Sequence, residues 1–291
     1  MNLKPFENSV PAPKNPESVF TPEELETKQV LESSLEAINY PKLQSVFDRQ
    51  LRKYGVNEKR ELLAKDRFKS DLPAEGKNIA LYKSKTQTTH FSPYWTKERF
   101  GSVDMKVATG MIICHEQTHH MSHRSCTPIG EIETHSIALT QNGLDEFYEY
   151  IPKGSHPEQQ RGVRKFFTFL NEGLTEMFSR EVLAEYLAED KQYASTETAQ
   201  EFFEKLPKLE LAYNQIVPVV TEMIASIVLH TGIDKVTVKE AFYGAMLRGE
   251  PLTDPELVAS FNELYGEEFL PKLAVQPIRG DTAELTQHLA Q

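Results

Sequence analysis

The chain is expected to fold as a mainly helical α+β protein. Three patterns point there. Helix starts and stops recur along its length: Thr21-Pro22 with Glu24 is a capping box with proline at the first helical position, and three late helical stretches run into Gly232, Gly249 and Gly266. Two long stretches, Val103 to Met121 and Arg164 to Glu189, carry apolar residues at helical spacing. Only short stretches, "NIALYKS" (78–84) and "DEFYEYIP" (145–152), read as strands.

In chain order, the helix opened by Thr21 is interrupted at Pro41, and "KLQSVFDRQLRKYG" forms a second helix ending at Gly55. After the strand at 78–84, the aromatic stretch "TTHFSPYWTKERFGSVD" (88–104) is broken by Pro93 and Gly101 and is expected to be a loop beside a cleft. The helix from Val103 follows, in a region ended by Pro128 and Gly130. The helix from Arg164 is expected to present Phe166, Phe167, Leu170, Leu174 and Met177 on its inner face. From Thr196 onward the pattern is helical again.

With 291 residues, 39% of them hydrophobic and 26% charged, the chain can bury a substantial core. Its 32 basic and 43 acidic residues leave a net charge of −11 with no basic stripe, so a nucleic-acid partner is not expected. No apolar run approaches the roughly 20 residues that cross a bilayer, so a membrane partner is not expected either. Residues 1–20, rich in Pro, Asn and Ser, are expected to be a disordered tail without the apolar core of a Sec signal. The expected location is the cytoplasm, or export by a non-Sec route as an effector or toxin. Two cysteines, Cys114 and Cys126, fit a chain that does not rely on disulfides. Adjacent helix positions point about 100° apart, so Cys114 does not share an ion with His115 and is expected to pack in the core.

The stretch "MIICHEQTHHMSH" (111–123) holds four of the nine histidines, His115, His119, His120 and His123. Within it, His115-Glu116-Gln117-Thr118-His119 is HExxH. On a helix, residues i and i+4 share a face, so two neutral imidazoles can bind one zinc ion while the intervening Glu116 reaches a water on it. Such a site hydrolyses carbonyl compounds: the ion acidifies the water and the carboxylate takes its proton as it attacks. The motif alone has a real false-positive rate, but here it closes an apolar helical segment. A shifted His119/His123 pair would leave Glu116 without a role, and His120 and His135 are not expected to reach the ion. A catalytic zinc needs a third protein ligand. The pattern HExxHxxGxxH is absent, because Ser122 and Ser125 stand at its Gly and His positions. "FLNEGLTEMFS" instead offers Glu172 and, one turn later on the same face, Glu176; on spacing alone either can be the ligand.

HExxH followed by a helix bearing N-E-G-x-T resembles the gluzincin group of zinc metallopeptidases, which includes thermolysin. The likeness covers about 60 residues and is strongest at these two short motifs. It implies a zincin-like domain, with a small sheet before the HExxH helix and a helical C-terminal part closing the cleft. It implies that His115, His119 and Glu172 hold one Zn2+, that Glu116 is the catalytic base, and that Glu176 orients a ligand histidine from behind. It implies an oxyanion donor from the downstream helical part, for which Tyr213 is the first choice and Tyr243, His230 and His90 compete. It also implies that the substrate is a protein or peptide lying along an edge strand, for which 78–84 is the candidate. The step from His119 to Glu172 is longer than in the group's aminopeptidases, and their G-x-M-x-N motif is absent, which favours an endopeptidase. The expected organisation is a tail (1–20), an N-terminal helical segment (21–75), a catalytic core (76–190) and a C-terminal helical part (191–291). Two other classes fit the same motif: a zinc hydrolase of non-peptide amides or esters, and a non-catalytic zinc-containing binding protein.

Overall fold

The helical starts read from the sequence are built as expected at the N-terminus. In a computed structural model, Thr21 accepts a hydrogen bond from the Glu24 N–H and the Glu24 carboxylate accepts one from the Thr21 N–H, opening α1 (Pro22–Ala37). Asn39 caps α2 (Tyr40–Lys53), which runs to Gly55 at φ +76°. The structure describes residues 20–73, 78–83, 86–131, 135–152, 161–249, 255–278 and 280–289, so the expected tail lies, but for Phe20, outside the described residues.

A three-stranded sheet follows, made of β1 (Phe68–Lys69), β2 (Ala80–Lys83) and β3 (Thr88–Phe91) in the order β1-β3-β2. β3 lies parallel to β1 and antiparallel to β2, which leaves β2 at an edge. The stretch 88–104, expected to be a loop, is instead β3 followed by α3 (Pro93–Phe100). Pro93 starts the helix where it was read as a breaker: its missing N–H costs nothing in the first turn, and Ser92 supplies the cap.

Next comes α4 (Met105–Met121), capped by Asp104, and then a four-stranded antiparallel meander: β4 (Arg124–Glu131), β5 (His135–Asn142), β6 (Asp145–Pro152) and β7 (Arg161–Phe166). Pro128 and Gly130 lie within β4, past the helix end at Met121. Of this sheet only β6 was legible. The helix expected from Arg164 begins at Thr168 as α5 (Thr168–Glu189); the preceding residues form β7, and the chain turns at Phe167, φ +62°. A run of apolar residues fits strand and helix alike, and here β6 claims the first part as a partner.

The remainder is helical: α6 (Thr196–Lys205), α7 (Tyr213–Thr231), α8 (Lys235–Arg248), α9 (Pro255–Tyr265), α10 (Phe269–Val275) and α11 (Ala283–Leu289). Gly232 and Gly249 terminate α7 and α8 in the left-handed conformation, as their positions predict. The chain is thus mainly helical with a small sheet content, as expected. No single helix among the described residues is long and apolar enough to cross a membrane.

One buried core runs through the described residues. At its centre α4 packs on α5; α1 covers α4, and α2, α7 and α10 cover α5. The N-terminal helices are therefore packed into the body. Gln117 joins them to α4: its side chain accepts from the Leu63 N–H at 2.9 Å and donates to the Leu63 carbonyl at 3.1 Å. A second polar tie is Glu181 on α5. It accepts from Tyr54 at 2.6 Å, from Tyr243 at 3.3 Å and from Lys239, with Lys53 at 3.7 Å.

Burial alone would raise the Glu181 pKa, but Lys239, Tyr54 and Lys53 outweigh it and hold the carboxyl below its ordinary range. A carboxyl depressed by folding stabilises most above its unfolded pKa, and that stability disappears as pH falls through the folded value. Glu181→Gln is expected to cost about 1–3 kcal/mol at neutral pH. The gap to the wild type should narrow as pH falls below about 4.3, read from urea unfolding across a pH series.

Candidate metal centre

The contact between α4 and α5 brings the two motifs together. Both helices are buried on nearly every side, so each polar group on them needs a partner. His115 and His119 lie one turn apart on α4 and point their Nε2 atoms at one another, 3.1 Å apart. Glu172 Oε2, from α5, is 3.4 Å from each of those nitrogens. These three atoms form a nearly equilateral triangle. Ligands about 2.0–2.2 Å from a tetrahedral ion stand about 3.3–3.5 Å apart, so the triangle matches one face of such a site. A hydrogen bond between the two imidazoles accounts for the 3.1 Å side, but less well for the two sides that meet Glu172. At 3.4 Å the contacts are long, and Glu172 Oε2 is buried with no hydrogen-bond partner. His115, His119 and Glu172 thus form a group that can hold a metal ion.

The two glutamates differ in reach: Glu172 meets both Nε2 atoms, and Glu176 does not join the group. Glu176 lies behind His115, accepting from its Nδ1 at 3.0 Å. That bond holds Nδ1 protonated and turns Nε2 toward the triangle. Arg180, a further turn along, donates to the other Glu176 oxygen at 2.9 Å. It also donates to the Asn214 side-chain carbonyl at 2.9 Å, and the Asn214 amide holds the Leu206 and Leu209 carbonyls at 2.6 and 2.8 Å. One chain of bonds therefore runs from the imidazole to the loop before α7. Sequence reading missed Arg180 and Asn214. Arg180 had a visible signal, its i+4 spacing from Glu176; Asn214 had none beyond its place beside Tyr213.

The charges follow from this packing. Burial works against protonation of His115, but Glu172 and Glu176 outweigh it and push its pKa up to about 10. Burial would raise Glu172 and Glu176 too, yet the imidazoles, with Arg180 for Glu176, hold both below the usual carboxylate range. For Glu116 burial prevails: it raises the pKa more than His115 and His119 lower it, and the Oε2 atom is buried without a hydrogen-bond partner. It faces a cavity that His115, Glu176 and Tyr213 also line.

Tyr213 begins α7 and stacks on the His115 ring, with centroids 4.7 Å apart at 23°. Burial foremost, then Glu172, Glu116 and Glu176, raises its pKa well above the usual value, so the hydroxyl stays a donor. Its competitors are occupied elsewhere. Tyr243 bonds Glu181, His90 pairs with Asp71 at 2.6 Å on the three-stranded sheet, and His230 bonds the Ser226 carbonyl near the end of α7. His120 turns from the triangle to Tyr82, 3.1 Å away, and His123 packs against Gly249. The side chain of His135 lies outside the described residues. Cys114 is buried in the core, where burial pushes its thiol up and keeps it neutral.

Comparison with protein families, with curated proteins and with solved structures finds no match.

Each residue of the Asn171-Glu172-Gly173 run has a local task. Asn171 accepts from the Leu144 N–H at 2.9 Å and clasps the turn between β5 and β6, where Gly143 adopts φ +63°. Gly173 lets α7 approach α5: a Cβ there would sit 2.7 Å from Ile216 and 2.8 Å from Val220. At the far end of α4, Arg124 donates to the His119 and His120 carbonyls at 3.0 and 3.3 Å and lies over the Tyr82 ring. Gly173→Ala is expected to destabilise the fold by about 1–3 kcal/mol through overpacking, measured by urea unfolding. A variant as stable as the wild type would show that α5 and α7 do not meet here.

Proposed function

We propose that the protein is a zinc-dependent endopeptidase with a zincin-like catalytic core. The observation that carries this reading is the triangle of His115, His119 and Glu172, with the Glu116 Oε2 atom, buried without a hydrogen-bond partner, on the same helix. Two imidazoles and one carboxylate are one of the donor sets of catalytic zinc, which keeps a position open. A zinc ion held there would supply Lewis acidity, polarising the scissile carbonyl and lowering the pKa of the attacking water.

The remaining work falls to the chain. Glu116, with its pKa raised by burial, takes a proton from the attacking water and later passes it to the leaving amine nitrogen. Glu176 holds the Nδ1 proton of His115 and so fixes the tautomer. Tyr213, protonated and stacked on His115, donates to the oxygen on which negative charge develops. The open edge of β2 lies beside the cavity through Ala80, where an extended peptide can pair with it.

Metal content tests the ligand set. The wild type purified without chelators is expected to carry about one zinc per chain. Glu172→Ala should lose it, while Glu176→Ala should weaken binding by about 10–100-fold. Elemental analysis showing full zinc in Glu172→Ala would remove that ligand. Hydrolysis tests the chemistry: Glu116→Gln should keep the metal and lose about 10²–10⁴-fold in the rate of peptide cleavage. Cleavage of amides or esters with no peptide cut would redirect the reading to a non-peptide hydrolase. Zinc bound with no chelator-sensitive hydrolysis at all would make it a binding protein.

A further inference from the structure

The three-stranded sheet carries a second set of polar groups that the metal centre does not use. Along β3 the side chains alternate. Thr89 and Phe91 face the core at 0% and 1% exposure, so Thr88 and His90 share the opposite, outer face. Asp71, two residues past β1, sets its Oδ1 2.6 Å from His90 Nδ1. On the other side of the ring, His90 Nε2 lies 3.1 Å from the Thr88 hydroxyl, which lies 2.6 Å from the Thr86 hydroxyl. The backbone fixes these positions: Lys69 is paired with His90 across the sheet, and the Leu72 N–H donates to the Phe91 carbonyl at 2.9 Å. The His90 side chain keeps 16% of its surface exposed and Asp71 48%, so a small solute can reach the row.

The bonds run in one direction. An ionised carboxylate only accepts, so His90 Nδ1 donates to Asp71. In the neutral imidazole that leaves Nε2 as an acceptor, and the Thr88 hydroxyl donates to it. The Thr88 oxygen accepts in turn from the Thr86 hydroxyl. A hydroxyl donating to an imidazole that is itself oriented by a carboxylate is the arrangement of an activated nucleophile, recognised by geometry and not by sequence order. The register adds charge. Lys69 lies opposite His90 and Lys83 opposite Thr88, so both lysines share this face, and both are exposed. Two cations beside the hydroxyl favour a donor that carries negative charge.

We propose that Thr88 is a nucleophile, activated by His90 and Asp71, that takes an acyl group from a small acyl phosphate. The Thr88 oxygen attacks the carbonyl carbon while His90 Nε2 takes the hydroxyl proton, and Asp71 balances the charge on the imidazolium. The bond from the carbonyl carbon to the phosphate oxygen breaks, and the proton passes from His90 to the departing phosphate. A threonine ester and inorganic phosphate result, with nothing oxidised or reduced. None of these residues lines the cavity at the metal centre, and the assignment does not rest on the peptidase reading.

The test gives acetyl phosphate to the full chain, as purified and after chelator treatment, and reads the acetylated positions by fragmentation mass spectrometry. Thr88 should be acetylated at the same rate in both preparations. Thr86, a more exposed hydroxyl in the same molecule, should react about 10²–10⁴-fold more slowly, a comparison that needs no variant. His90→Gln should slow acetylation of Thr88 by the same factor, and Thr88→Ser should keep it. Asp71→Asn should slow it too, with a signature of orientation: the asparagine amide can donate to Nδ1, so nitrogen NMR should find the His90 proton moved to Nε2. Thr88 left unmodified, or acetylated no faster than Thr86, overturns the proposal. So does a rate that His90→Gln leaves unchanged, and so does acetylation that the chelator abolishes.

Discussion

The packing of two apolar helices around a few ionisable groups is the constraint on which the rest of the molecule depends. Along α4 and α5 nearly every side chain is out of water, yet they carry His115, Glu116, Gln117, Asn171 and Glu176. An ion buried without compensation costs several kcal/mol, so each group is either bonded or has a use. Gln117 is satisfied by the backbone of Leu63, Asn171 by that of Leu144, and Glu176 by His115 and Arg180. Among the described residues, Glu116 Oε2 and Glu172 Oε2 are the two buried carboxylate oxygens on these helices left with no hydrogen bond. The proposed reading gives each a use: a lone pair for a metal ion on Glu172 and a proton acceptor on Glu116.

The surrounding structure holds that arrangement from several sides. Arg124 clamps the carbonyl end of α4 just past His119, so the chain can leave into a four-stranded meander without loosening the histidines. Asn171 grips the meander's middle turn one residue before Glu172. A long excursion between two motifs is tolerable because loop-closure entropy grows slowly with length, provided its ends are anchored as they are here. On the opposite side, Gly173 brings α7 against α5, and α7 begins with Tyr213 on the His115 ring. The bonds from Glu176 through Arg180 to Asn214 couple the histidine's tautomer to the loop that shapes the neighbouring cavity. Orientation of the ligand and shape of the pocket are thus properties of one network.

Local rules made part of this legible. The HExxH spacing predicts two imidazoles on one face because a helix repeats every 3.6 residues, and His115 and His119 do converge. Capping residues and terminal glycines marked α1, α7 and α8, since orphan backbone groups at helix ends have few ways to be satisfied. Where two local readings compete, the sequence misled. Pro93 both stops and starts helices, and the apolar run at Phe166-Phe167 suits strand or helix; the partners that decide, Ser92 for one and β6 for the other, act through a cap and a distant pairing.

The sequence by itself therefore determined the helical character of the chain, the histidine pair with its glutamate, and two carboxylates one turn apart on a later helix. All of these follow from spacing along one element. Only the tertiary structure decided that Glu172 faces both Nε2 atoms while Glu176 stands behind His115, that Arg180 and Asn214 tie the site together, and that a cavity with both apolar and charged walls opens beside Glu116. Those depend on the distance and rotation between helices far apart in the chain, set by packing at residues such as Gly173, and no periodicity within one helix encodes them.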